Sequence, residues 1–489
     1  MAHRTYVHVL DNDSLLQIFS YYRLEDKHNW NRRYMWRRLA HVCRRWRHLV
    51  FDSWSHLDLF LFLKSNFPSI STLSYLSSLP LVIDYSDGTT TVAQQDEDNI
   101  HLGLQQHGRV RGIVLRAPSS SLRMWLEPMN KHYPRLGDLS LWSTTTEASL
   151  VLPETFQAPD LRRLALHGIG LSTKLTLLSP AIGLSTLSIT HITTSCYFPP
   201  GHLVTQLQGL PHLEELSIGF ATPIPLPSNE RELLSAPTPP VTLPALKRLT
   251  FRGVGVYLDN LTAHINTPLL ERLSLILFFE LTFMLVNLTE FIHRTEGFRC
   301  LVARVIFNKD AASISVGHYN QQGIENFSLR VNCERLDWQI DSAVQVCSAL
   351  GKVLSAVEDL TLDLDVDGML SDWENTLDDV LWHELLVPFV GVKKLHMGSS
   401  LTVELSQALE SVTGELILEL LPELQELGVQ LEIDHAKNAF SAFVTSRQSV
   451  GRPVSLLTPP IPAPKRRSRF DSGPPMPGES NEWRAINPQ

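Results

Sequence analysis

Cysteine is scarce: Cys43, Cys196, Cys300, Cys333 and Cys347 are the only five in 489 residues, widely spaced and without a Cys-x-x-Cys pair. An odd number at such spacing argues against a disulfide framework or a zinc cage, and it fits a reducing compartment. Long apolar runs are also missing. The most lipid-like stretch, Leu273 to Phe279, stops at Glu280, whereas a membrane-spanning helix needs about 20 apolar residues. The opening residues carry His3, Arg4 and then Asp11-Asn12-Asp13-Ser14 in place of an apolar export core. The expectation is a protein with no membrane partner, cytoplasmic and/or nuclear, in which the sequons beginning at Asn12, Asn260, Asn287 and Asn326 are chance matches. Neither sign of charge dominates. Lys plus Arg number 42 against 51 acids, a net charge of -9 that is too mild to imply a nucleic-acid partner for the whole chain.

The motifs of catalysis are missing as well. There is no Gly-x-Ser-x-Gly elbow and no phosphate loop ending in Gly-Lys-Ser/Thr. His383-Glu384 lacks the second His of a zinc protease helix, and Gly253-x-Gly255 lacks the third Gly of a dinucleotide site. Nineteen histidines form no recognisable constellation. The reading is a protein that is not an enzyme, with no catalytic residues and no cofactor. One metal motif needs weighing: Asp363, Asp365 and Asp367, Gly368 and then Glu374 satisfy the spacing of a calcium-binding loop. Yet Val357, Leu360, Leu362, Leu364 and Val366 alternate as a strand, where a calcium loop should leave a helix, and alternation puts the three aspartates on a solvated face. No metal is expected there, and calcium binding stays the outlying alternative.

What is present is enough to fold most of the chain. Hydrophobic residues make up 43% and charged residues 19%, near the globular average, and the length allows about three domains. Near the N-terminus, Leu15, Leu16, Ile18, Phe19 and Tyr22 fall at helical spacings after Asp11, Asp13 and Ser14, any of which can cap a helix, and Ser14 with Gln17 fits a capping box. A second helix is expected from about Trp36 to Val50. On its wheel Arg37, His41, Arg44 and His48 share one side, while Trp36, Leu39, Cys43, Trp46 and Val50 gather opposite and Val42 and Leu49 widen the apolar face. That is more apolar surface than a short two-helix module can bury within itself, so a partner is expected. Nine Lys or Arg against two acids between Arg23 and His48 raise nucleic acid as an alternative. Without a reading motif, docking onto an acidic protein fits better.

The string Leu10, Leu15-Leu16, Ile18-Phe19, then Trp36-Arg37-Arg38-Leu39-Ala40-His41-Val42-Cys43-Arg44-Arg45-Trp46-Arg47-His48-Leu49-Val50 resembles an F-box. With Ser53 to Phe62, Leu79-Pro80-Leu81-Val82-Ile83, Asn332 to Trp338 and Trp382 to Lys394, it resembles in particular the expanded F-box family of mushroom-forming fungi, over about residues 8 to 455. One departure is Leu10-Asp11, where the family usually has Leu-Pro, so the first helix lacks proline's preset φ. The resemblance implies docking to the Skp-type adaptor of a cullin ubiquitin ligase and selection of an unknown target protein without catalysis. It puts docking on Leu15, Ile18, Phe19, Val42, Cys43, Trp46 and Leu49, with Leu10 and Arg44 at the edge. Some of these must pack the module's own interior, and the sequence does not say which.

Through the rest of the chain, apolar, two residues, apolar, one residue, apolar recurs. It begins at Val110, Leu136, Leu161, Leu184, Leu213, Leu246, Leu270, Val302, Val357, Val392 and Leu424. Up to Val302 the spacing overlaps the leucine-rich-repeat period of about 20 to 29 residues, although the Asn or Cys that should follow the strand is missing. Between Val302 and Val357, Ile324-x-x-Phe327-x-Leu329 and Cys333-x-x-Leu336-x-Trp338 both qualify. Alternate strand residues point inward, so stacked units bury a core that none can bury alone. An ordinary α/β sheet is the alternative. The expected class is therefore α/β (α+β): a helical F-box over 8–60, a connecting segment over 61–105, an irregular leucine-rich-repeat-like solenoid over 106–445, and a disordered Pro-rich basic tail over 446–489. A Pro-rich loop interrupts the array at 221–244, and Lys465-Arg466-Arg467-Ser468-Arg469 in the tail is either solvated or a nuclear-import signal. Residues between the inward leucines, namely Arg163, Glu215, Arg248, Arg252, Arg272, Asp359 and Lys394, are the candidate target-binding set.

Overall fold

The computed structural model describes residues 10–24, 36–57, 59–64, 79–86, 93–145, 150–171, 178, 181–223, 240–278, 282–298, 300–320, 323–324, 326–333, 335–365, 379–411, 420–429, 435 and 438–457. Two units divide the chain, residues 1–184 and 185–489.

The first unit opens with α1 (Asn12–Leu24), α2 (Trp36–Val42) and α3 (Arg44–Asp52). Asp11 caps α1: its Oδ1 accepts the Ser14 N–H at 2.7 Å, so the cap lies three residues ahead of the expected Ser14–Gln17 box. The single helix expected from Trp36 to Val50 is two helices. Cys43 between them takes up extended backbone, with φ -158° and ψ 172°. Its Sγ accepts the Trp46 N–H at 3.4 Å, capping α3 as a serine oxygen would.

Five parallel strands follow, side by side in chain order: β1 (Leu61–Leu63), β2 (Leu81–Tyr85), β3 (Val110–Ala117), β4 (Asp138–Ser143) and β5 (Arg163–His167). Parallel neighbours need crossovers, and α4 (Gln94–Gln105) and α5 (Ser119–Leu126) supply two of them. Residues 61–105, expected to connect, thus hold β1, β2 and α4. α4 packs tightly at Gly103, where a Cβ would come within 2.6 Å of Leu63 Cδ1.

In the second unit the strands of the large sheet are β6 (Thr186–Ile192), β7 (Glu215–Phe220), β8 (Arg248–Gly253), β9 (Arg272–Phe278), β10 (Val302–Asn308), β11 (Ala311–Gly317), β12 (Phe327–Asn332), β13 (Asp359–Asp365), β14 (Lys394–Met397), β15 (Glu426–Val429) and β16 (Ser455–Leu457). They lie in the order β6-β7-β8-β9-β12-β11-β10-β13-β14-β15-β16. Only β11 is antiparallel to its neighbours among these strands. The inversion settles the register left open by the sequence. Phe327 and Leu329 sit inward on β12, whereas Leu336 begins a helix, α9 (Leu336–Ala349), named after α6 (Pro200–Leu207), α7 (Gly255–Ala263) and α8 (Val286–Arg294) in chain order.

The recurring apolar pattern explains this array. At Leu213, Leu246, Leu270, Val357, Val392 and Leu424 the first apolar residue is buried two positions ahead of its strand. The turn between them is stitched to its neighbour. The Glu214 carbonyl accepts the N–H groups of Lys247 and Arg248, the Lys247 carbonyl those of Glu271 and Arg272, and the Glu358 carbonyl those of Lys393 and Lys394, all at 2.8 to 3.0 Å. Inward residues such as Leu216, Ile218, Leu249, Phe251, Leu273 and Leu275 are at most 1% exposed, and each contributes about 1.5–3 kcal/mol by leaving water. Phe220, Phe251 and Tyr257 from β7, β8 and α7 meet as an aromatic cluster, with Phe220 edge-on to Tyr257 at 4.9 Å. Toward the end of the described chain, fully buried Arg447 donates to the carbonyls of Leu421, Pro422 and Leu424. Residues 446–457 of the expected tail contribute to a helix over Ser441–Ser449 and to β16. The basic cluster at 465–469, most of the Pro-rich loop, and Arg37 with Trp36 as side chains lie outside the described residues.

Candidate functional site

The N-terminal helices sort their apolar residues into two groups. Leu15 is fully buried on α1 and Phe19 is 2% exposed, and Val50 on α3 is fully buried. Phe19 meets Trp46 edge-on, with ring centroids 4.7 Å apart, a geometry worth about 0.5–1.5 kcal/mol beyond the area it buries. Leu10, Trp46 and Leu49 are half-buried beside them. Ile18 and Tyr21, three apart and so neighbours on the other side of α1, stand out to solvent at 47% and 63% exposure, and Val42 at the end of α2 reaches 60%. Cys43 and Arg44 are exposed too. The nine residues assigned to docking therefore divide. Leu15 and Phe19 are interior, Leu10, Trp46 and Leu49 are shared, and Ile18, Val42, Cys43 and Arg44 face outward.

Two arginines of the basic run are engaged within the module. Arg45 donates from Nη2 to the Leu10 carbonyl at 2.6 Å and to Asn12 Oδ1 at 2.9 Å, tying the start of α1 to α3. Arg47 Nε donates to the Ala40 carbonyl at 3.0 Å, fixing α2 on α3. The charge that suggested nucleic acid is thus partly structural. The Ser14 N–H also holds the Asp11 carboxyl below its ordinary range, with Arg45 nearby acting in the same direction.

On the sheets, six of the seven residues assigned to target binding are the first of their strands: Arg163, Glu215, Arg248, Arg272, Asp359 and Lys394. Register brings Glu215, Arg248 and Arg272 side by side, and Asp359 beside Lys394. Several pair laterally: Arg248 with Glu215, Arg163 with Asp138, and Lys394 with Glu426 at 2.8 Å. The Glu426 carboxylate raises the Lys394 amine. Asp359 Oδ1 lies 3.6 Å from His396 Nε2. Arg252, the exception, lies over the Phe278 ring at 5.4 Å and beside His191, whose pKa is lowered by burial first and by this cation second. Sequence reasoning missed Arg304 and Arg330 on the same open face of the second unit: Arg330 lies where the register between 302 and 357 was undecided, whereas Arg304, two residues after Val302, holds the same place in its unit as Arg163 after Leu161 and was legible. It also missed a stack in the first unit, where Trp142 lies on His167 at 3.7 Å with Arg116 at 5.5 Å. A signal for it exists in the repeat itself: Arg116, Trp142 and His167 each directly follow the last apolar residue of their unit's pattern or stand one strand position beyond it, and they are register partners across β3, β4 and β5.

The calcium spacing does not form a loop at its start. Asp363 sits within β13, its Oδ1 accepting the Leu364 N–H at 2.9 Å, and Arg304 lies 4.0 Å from its Oδ2. Asp365 ends the strand, and Asp367 and Glu374 lie outside the described residues. His383, the lone histidine of the protease-like pair, contacts the Ala408 carbonyl through Nε2.

Residues 12–59 match the family model described as F-box-like. The matched span coincides with α1 to α3 and the turn after them, and F-box domains bind Skp-type adaptors. No curated protein matches the chain.

Proposed function

We propose that this chain is the substrate-recognition subunit of a ubiquitin ligase of the Skp-cullin-F-box type. Its N-terminal module docks to the Skp-type adaptor and through it to a cullin, while the strand array, an irregular leucine-rich-repeat-like solenoid, presents an open face to a target protein. The chain itself performs no catalysis, needs no cofactor and acts in the cytoplasm or nucleus. Its relatives are the F-box proteins of mushroom-forming fungi, on the strength of the Val42-Cys43-Arg44-Arg45-Trp46 core and the later segments quoted above.

One observation carries the reading. The module already has an interior of Leu15, Phe19 and Val50, yet it leaves Ile18, Tyr21 and Val42 in water, and aliphatic and aromatic anchors of this kind dominate the energy of protein interfaces. Where the usual proline would preset φ, Asp11 instead caps the start of α1 through its carboxylate. Co-purification of the full chain with a Skp-type adaptor, lost on changing Ile18 and Val42 to Asp while the fold persists, tests it. Failure of the unaltered chain to hold the adaptor overturns it.

A further inference from the structure

The open face of the second unit is divided by charge. On β7, β8, β9, β12 and β10 the outward positions carry Glu215, Arg248, Arg252, Arg272, Arg330 and Arg304, five cations against one acid among the described residues. On β13 to β15 the sign turns, with Asp359, Asp363 and Glu426 against Lys394 and His396. The cations are ordered. Arg248 and Arg272 are register neighbours at the strand starts, Arg252 and Arg330 stand four and three positions along their own strands in a second row, and Arg304 is aligned with Ser315 and Thr361. Between the two arginine rows lie short side chains only. Ser217, Thr250, Ser274, Ser328 and Ser315 are successive register partners, Ser328 donating to the Ser274 hydroxyl at 3.1 Å. Arg248 and Arg304 keep 43% and 47% of their side-chain surface in water.

We propose that this basic strip takes an extended, Asp- and Glu-rich segment of a target protein, laid across the strands between the two rows of arginines. The inference rests on the reading of the chain as a target-recognition subunit and names the chemistry of the target. Guanidinium forks match carboxylates in a bidentate way, and the short hydroxyl side chains leave the peptide room to approach the sheet while offering its backbone donors and acceptors. Neighbouring strands are about 4.8 Å apart, so the row from Ser217 on β7 to Arg304 on β10 spans about 24 Å, the length of about seven extended residues. A nucleic acid fits less well. Single-stranded binding draws on aromatic platforms for the bases, and the aromatic at an outward position of these strands among the described residues, Phe278, is buried with Arg252 over its ring.

The test uses the full-length chain and a fluorescein-labelled peptide of alternating Asp and Ser, with a Lys-Ser peptide and labelled oligouridine as competitors, at physiological salt. The acidic peptide binds and the other two do not. Arg304→Glu with Arg330→Glu, both exposed positions, weakens it about tenfold or more. Ser274→Tyr, which fills the strip without changing charge, weakens it comparably; should that variant not fold, Thr250→Tyr at an exposed position replaces it. Unchanged affinity in the arginine variant, equal binding of the Lys-Ser peptide, or tighter binding of oligouridine overturns the proposal. Adaptor capture is measured on the same samples and stays at the unaltered level. Its loss from the unaltered chain, with acidic-peptide binding intact, would remove the ligase reading and leave the acidic-segment site standing.

Discussion

Single side chains decide which parts of the N-terminal module hold it together and which are offered outward. Phe19 is almost fully buried against Trp46, so Phe19→Ala should cost about 3–5 kcal/mol and lower the unfolding midpoint of the module; an unchanged midpoint in urea would contradict the packing. Trp46 is half-buried and part of the same contact, which makes a charge there a folding defect and a poor probe of docking. The cysteines separate as sharply. Cys43 is exposed and the other four are buried, and burial pushes the Cys300 thiol up to about 11 and the Cys347 thiol higher still. A native-state maleimide titration should therefore label one thiol quickly, and Cys43→Ser should abolish that fast phase; rapid labelling of two or more would contradict it. At this scale the sequence showed the residue types but not their direction. Periodicity assigns Leu15, Ile18 and Phe19 alike to an apolar stripe, and only the packing of α3 against α1 separates Ile18 from the other two.

Elements were legible where a local signal and the periodicity agreed. Strands β7, β8, β9, β13, β14 and β15 each begin where the apolar pattern placed them, because the inward residues must alternate and the preceding apolar residue must close the turn. The break at Cys43 was not legible, since a cysteine is a weak cap and the apolar face continues across it. The inverted β11 was hidden for another reason: its pairing with β10 and β12 is a long-range choice that alternation alone leaves open. Two element-level outcomes follow from the caps and turns. The Asp11 carboxyl titrates below its ordinary range in the folded protein, so its stabilisation of α1 is complete above the unfolded carboxylate pKa and is lost as the pH falls through the lower folded value. The hydrogen-exchange protection factor at the first turn of α1, with the intrinsic pH dependence divided out, should be level from neutral pH to about pH 5 and fall in stronger acid below about pH 4, and Asp11→Asn, which can still accept the Ser14 N–H, should remove that fall. Gly168, directly after β5, has φ +67° and would bring a Cβ within 3.1 Å of Ser143 Cβ. Gly168→Ala should therefore destabilise the first unit by about 1–2 kcal/mol, read as a lower urea midpoint, and a neutral result would contradict the turn.

At the scale of the whole molecule, the proposed function divides between an apolar handle at the N-terminus and charged open faces on the strands. Ion pairs such as Lys393–Glu358 at 2.7 Å and Lys247–Glu214 at 3.2 Å run along the turns, but each partner is a third or more exposed, and such pairs contribute about 0–1 kcal/mol apiece. The stacked apolar interior, more than these pairs, carries the stability. The measurement that bears most directly on this division is quantitative capture of a purified Skp-type adaptor by the full chain, alone and as the Ile18→Asp, Val42→Asp double variant, with the unfolding midpoint recorded for both. Stoichiometric capture by the unaltered chain, reduced about a hundredfold or more in the variant at an unchanged midpoint, is the expected result. No capture by the well-folded unaltered chain, or equal capture by both, would contradict it.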